Sequence, residues 1–145
     1  MLVFFVIGVL FLNPTFSCAI CIGMPKWHMF VTNDMSDAFN MTVRLKDTPA
    51  YCSNCPMPPG SVYAWSYCQQ WQWWYGDFTW GSRSTTIMLW SKHIYRKCFT
   101  FIFPFGTVHC YWSIRPEGFY VSKHNSSFPG PDWNFEGSWP ESSIM

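Results

Sequence analysis

The sequence predicts an all-β protein, an antiparallel β-sandwich of about seven short strands held by disulfides. Three observations lead there. Short runs of aromatic and β-branched residues alternate with polar ones and are cut every few residues by Pro, Gly, Asn or Asp. No ten-residue window keeps a 3.6-residue apolar period free of Pro, Gly or β-formers, so no helix is expected. Seven cysteines in 145 residues point to an oxidising compartment. Aromatics at 21% and charged residues at 12% exclude a disordered chain, which is charged and poor in aromatics. A formal net charge of +1 provides no basic field for nucleic acid.

Residues 2–12, LVFFVIGVLFL, form an unbroken apolar run. It is shorter than the roughly 20 residues of a spanning helix but suits the apolar centre of a secretory signal peptide. Ser17 and Ala19 are small residues at the −3 and −1 positions of a cleavage site, and Pro14 ends the helix before them. Residues 1–19 are therefore read as a signal peptide and the protein as secreted and extracellular. No stable membrane span is expected. Cleavage removes Cys18 and leaves an even set: Cys21, Cys52, Cys55, Cys68, Cys98 and Cys110. Their spacing does not choose among the connectivities. Asn40-Met41-Thr42 and Asn125-Ser126-Ser127 are glycosylation sequons that fit the same compartment.

Residues 20–124 carry the expected sandwich. The first strand is 27–32, followed by a turn at Asn33, Asp34, Ser36 and Asp37. Residues 41–45 alternate Met41, Val43 and Leu45 against Thr42 and Arg44, the pattern of a half-buried strand. Residues 47–60 read as a loop, because Pro49, Pro56, Pro58, Pro59 and Gly60 interrupt any ladder. Alternation resumes at 61–67, with Tyr63, Trp65 and Tyr67 on one face, and further strands are expected at 85–90 and 98–103. Pro104-Phe105-Gly106 then turns into 108–114, where Cys110, Trp112 and Ile114 share a face. The turn Arg115-Pro116-Glu117-Gly118 returns the chain as 119–122. Residues 125–145 read as an irregular tail rich in Ser, Pro and Gly, pinned by Trp133, Phe135 and Trp139.

Motifs for catalysis are weak. Cys52-Ser53-Asn54-Cys55 is a CxxC, but the prolines that follow forbid the helix a redox site needs, and a structural disulfide is the better reading. No second Cys or His pair stands at a zinc-finger spacing, so no metal site is assigned. No G-x-S-x-G is present, and His28, His93, His109 and His124 sit in no catalytic signature. Asp34 and Asp37 suit a turn better than a glycosidase pair. No catalytic residue and no cofactor is assigned, and the protein is read as not an enzyme.

The densest feature is Trp71, Trp73, Trp74, Tyr75, Phe78 and Trp80, six aromatics within ten residues. Two readings stand open. The rings either fill the sandwich from an extended hairpin, or form a recognition surface that stacks on sugars, lipids or protein. Nucleic acid is disfavoured, since only Arg83 lies near these rings.

The order of these blocks resembles the plant self-incompatibility proteins and their S-protein homologues. WHMFVTNDM at 27–35 is similar to the family's first strand, and MTVRLKD at 41–47 to its second strand and polar loop. Pro59 and Gly60, followed by Trp65, Ser66 and Tyr67, resemble a third block, and Thr85-Thr86 the doubled threonine that opens the next strand. The sharpest likeness is Cys110, Trp112, Ile114, Gly118, Phe119 and Tyr120. Together the blocks span 27–122. The family's second-strand cysteine and its partner correspond here to Leu45 and to Leu89 or Trp90, so the family's disulfide map does not carry over.

The resemblance implies a small secreted β-sandwich that acts as an extracellular ligand in cell–cell signalling, with a cell-surface receptor or other extracellular protein as partner. Its recognition loops are expected at 47–58 and 69–82. The rival reading is a secreted carbohydrate- or surface-binding module using the Trp-rich stretch, with a glycan as partner.

Overall fold

The computed structural model describes residues 21–68, 72–100 and 107–142. The expected signal peptide and residues 101–103 of the expected strand at 98–103 lie outside them. The described residues form two packed sheets. The first contains β1 (Lys26–Asn33), β4 (Val62–Cys68), β7 (Thr107–Arg115), β8 (Gly118–Ser122) and β9 (Asn134–Gly137), in the order β4-β1-β7-β8-β9. The second contains β2 (Phe39–Leu45), β3 (Cys52–Met57), β5 (Trp74–Trp80) and β6 (Arg83–Trp90), in the order β3-β2-β5-β6. A short helix, α1 (Lys92–Cys98), carries the chain from the second sheet back to the first.

Period-two alternation builds the core. Trp27, Met29 and Val31 of β1 face inward beside Val108, Cys110, Trp112 and Ile114 of β7, and all are essentially inaccessible. Phe39, Met41 and Val43 of β2, with Trp74 and Phe78 of β5, oppose them. Two aromatic clusters result. At one end Trp27 packs on Trp90 with ring centres 4.1 Å apart, and Trp74 lies 5.2 Å from Tyr67. Toward the other end Phe78 packs on Phe119 at 5.0 Å, and Trp139 closes over both. Each such ring contributes on the order of 1.5–3 kcal/mol by leaving water.

The disulfide-stabilised all-β class holds, with nine strands among the described residues where about seven were expected. Cys21 pairs with Cys68, Cys52 with Cys55 and Cys98 with Cys110, at Cα separations of 5.4, 5.8 and 5.2 Å. These lie within the usual range of about 4.4–6.8 Å. The first bond staples the chain ahead of β1 to the end of β4, and the third ties α1 to β7.

Several local readings are corrected. The β1–β7 pair is parallel, with Lys26 opposite Thr107 and Asn33 opposite Ile114. β7 follows the whole second sheet and α1, so no hairpin forces the two strands to oppose. The loop at 47–60 contains β3. Pro56 is tolerated there because β3 is an edge strand, where a missing N–H breaks no second ladder. Cys98 ends a helix rather than starting a strand. α1 is seven residues long, below any ten-residue window, and Ser91 caps it by accepting from the Ile94 N–H at 3.3 Å. Ile94 and Cys98, one turn apart, are its buried pair.

The tail at 125–145 is not wholly irregular. β9 pairs with β8, and the Trp139 indole, 6% exposed, donates to the Arg115 carbonyl at 2.9 Å. Trp133 is also held, donating to the Ser126 carbonyl at 3.2 Å, whereas Phe135 is exposed.

Candidate functional site

Most of the Trp-rich stretch is a strand. In Trp74–Trp80 the side chains of Trp74, Phe78 and Trp80 share the inward parity with Gly76, while Tyr75, Asp77 and Thr79 point outward. Trp74 and Phe78 are 1% exposed, so they are core rather than recognition surface. Trp80 is half-buried, edge-on to Trp139 at 5.4 Å and covered by the Arg83 guanidinium at 4.9 Å. Tyr75 is half-buried beneath Arg44, whose Cζ lies 5.1 Å from the ring centre. Trp71 lies outside the described residues. Trp73 is left, with 51% of its surface exposed.

Trp73 borders an open cleft of about 360 Å³, lined by Leu45, Lys46, Asp47, Thr48, Gln72 and Trp73. The strand register builds it. β2 and β5 run antiparallel with Leu45 opposite Trp74, so the chain leaving β2 at Lys46–Thr48 meets the chain entering β5 at Gln72 and Trp73. Asp47 has φ 60°, a left-handed turn position that Asp accepts better than most residues. Tyr51, half exposed, packs edge-on against Trp74 at 4.8 Å and belongs to the same end of the sandwich. The cleft thus has one flat aromatic wall, an apolar floor from Leu45, and a cation, a carboxylate, a hydroxyl and an amide around it. Such a lining binds by stacking and hydrogen bonding.

On the outward face of the second sheet, one residue along β2 from the cleft's Leu45, Arg44 anchors a polar cluster. The Arg44 Nε donates to Asp77 at 2.7 Å and its Nη2 at 3.2 Å, and the Thr86 hydroxyl donates to Asp77 at 2.7 Å. The hydrogen bonds from Arg44, then that from Thr86, hold the Asp77 carboxyl below its ordinary value against a partial burial that acts the other way. The bond to Asp77 likewise raises Arg44. Both sequon asparagines, Asn40 on β2 and Asn125 beyond β8, are exposed.

The loops named from sequence meet the cleft only in part. Asp47 and Thr48 come from the expected loop at 47–58, and Gln72 and Trp73 from that at 69–82. Leu45 and Lys46 lie just before the first of these loops. No signal in the sequence joins the two groups, because their proximity depends on the β2–β5 pairing. A cue for β5 itself was present: polar Asp77 and Thr79 alternate with Phe78 and Trp80, but Gly76 at an inward position hides the period.

The histidines do not converge with a carboxylate or a nucleophile into a catalytic constellation among the described residues. His28 and His109 lie on the outer face of the first sheet, His93 is 3.1 Å from Glu136, and His124 follows β8. Partial burial, then the facing charges of His109 and Lys26, hold the His28 imidazolium below its ordinary value. Asp34 accepts from the Ser113 hydroxyl and lies 3.7 Å from Arg115, a turn-anchoring role. Cys52 and Cys55 are bonded to each other within β3, with no helix following. Among the described residues no group of three or more His, Cys, Asp or Glu is placed to hold a metal ion, and no helix is long and apolar enough to cross a membrane.

The chain matches no family model, no curated protein and no solved structure.

Proposed function

We propose that this chain is a secreted, non-enzymatic recognition protein, resembling the self-incompatibility S-protein homologues and acting as an extracellular ligand in cell–cell signalling. The observation that carries the reading is Trp73: an exposed ring set over a polar-rimmed cleft on a disulfide-stapled two-sheet body. Large aromatic side chains beside a pocket are the usual anchors of protein recognition. Trp73 directly precedes β5, whose first residue, Trp74, is anchored in the core, so the backbone that carries the ring is positioned by the sheet.

The test is saturable binding of the secreted protein to living cell surfaces, followed by crosslinking from a photoreactive group placed at Thr48 on the cleft rim. Capture of one receptor, with Trp73→Ala weakening binding about tenfold or more, supports the reading. Binding that Trp73→Ala leaves unchanged overturns the assignment of the cleft.

A carbohydrate-binding role is the second reading. It is supported by the flat face of Trp73 beside the hydrogen-bonding groups of Lys46, Asp47, Thr48 and Gln72. It draws no support from Trp74 and Phe78, which are buried. A glycan array separates the two: sugar binding that disappears in Trp73→Ala favours the module, and an array without signal favours a protein receptor.

A further inference from the structure

The outer face of the first sheet carries a second aromatic feature, on the opposite sheet from the strands that build the cleft. The parallel register sets His28 of β1 directly opposite His109 of β7, with Ser66 of β4 on the other side of His28. The two imidazole centres are 5.4 Å apart and the rings are inclined at 69°. With metal–nitrogen bonds of about 2.0–2.1 Å and roughly 1.1 Å from ring nitrogen to ring centre, two imidazoles on one tetrahedral ion have centres about 5.2 Å apart. The observed separation is close to that value, so the two imidazoles stand near enough to share one ion once their ring nitrogens turn toward it.

Both rings are also held. Phe30 stacks on Tyr111 at 4.8 Å with the planes 11° apart, which makes a flat wall beside the pair. Phe30 lies 6.4 Å from His28 and 6.0 Å from His109, and Tyr111 stacks against His109 at 6.1 Å. Among the described residues neither imidazole is engaged in a side-chain hydrogen bond or ion pair, unlike His93 with Glu136. Their nitrogens are not committed to structure.

We propose that His28 and His109 form a two-imidazole site for a borderline divalent transition-metal ion. Imidazole suits Cu²⁺, Zn²⁺ and Ni²⁺, and Cu²⁺ binds tightest in the order common to such sites. With two protein ligands the ion keeps open positions, which water or an external donor fills. Lys26, on the same face of β1, is the charge that opposes the ion.

The experiment is titration of the full-length, disulfide-bonded protein with CuCl₂ and ZnCl₂ by calorimetry, alongside Cu²⁺ broadening of its amide NMR signals. One ion per chain is expected, bound more tightly for Cu²⁺ than for Zn²⁺. His28→Ala and His109→Ala should each weaken binding about tenfold or more, and the double variant should abolish it. A His93→Ala/His124→Ala control should bind as the unaltered protein does. Broadening should begin at residues 28, 30, 66 and 109–111. Unchanged binding by the double variant, or broadening centred elsewhere, overturns the proposal. If an alanine variant fails to fold, the broadening map of the unaltered protein decides.

Discussion

The Asn33 side-chain amide donates to the Met57 carbonyl at 2.7 Å, tying the end of β1 to the end of β3 in the opposite sheet. The same amide donates to the Asp37 carbonyl at 2.9 Å, and its oxygen accepts from the Met35 N–H at 2.9 Å. Asn33 is fully buried, so one side chain fixes the β1–β2 turn and the approach of the two sheets. Asn33→Ala leaves buried main-chain groups unpaired and should cost about 1–3 kcal/mol, read as a lower urea midpoint. Asn33→Asp removes both donors and buries a carboxylate, and should cost more.

Gly76 faces the core beneath the Phe78 ring. A Cβ there would lie 2.5 Å from one Phe78 ring carbon and 2.9 Å from a Leu89 methyl. Gly76→Ala should therefore destabilise by about 1–3 kcal/mol through overpacking. Adding Phe78→Leu should recover part of that loss, a coupling that a double-mutant cycle measures.

Adjacent tryptophans should behave oppositely. Trp74 is 1% exposed and Trp73 51%. Trp74→Ala should cost about 3–5 kcal/mol. Trp73→Ala should stay within about 0.5 kcal/mol of the unaltered protein. Thermal melts distinguish them, and equal losses would place Trp73 in the core and remove it from the cleft.

The Arg44–Asp77 pair gives stability an acid limb. Asp77 titrates lower in the folded chain than its ordinary 3.8 because Arg44 and Thr86 donate to its carboxylate. The folded state therefore gains stability that is complete above pH 3.8 and lost as pH falls through the depressed folded value. Both side chains are 37% exposed, so solvent screening limits the effect to under about 1 kcal/mol. Asp77→Asn should flatten this limb and leave the neutral-pH slope unchanged, as followed by denaturant midpoints at a series of pH values.

The sequence by itself determined the class and most of the strands. Alternation in 27–32, 41–45, 61–67 and 108–114 reads directly as strands because side chains on a pleated chain change face at every residue. Cysteine content pointed to disulfides, but the pairing of Cys21 with Cys68 and of Cys98 with Cys110 is set by which strands lie together. The tertiary structure alone decided the parallel β1–β7 pair, the rescue of proline-containing 52–57 as an edge strand, and the docking of Trp139. Each depends on partners far away in the chain, and local propensity carries no information about them.

The same division runs through the site. The aromatic density of residues 71–80 was visible at once, but not which rings are buried. Trp74 and Phe78 went to the core because β5 lies between β2 and β6, with its inner face against the first sheet. Trp73, one residue before the strand begins, has no opposing sheet to cover it and remains at the surface.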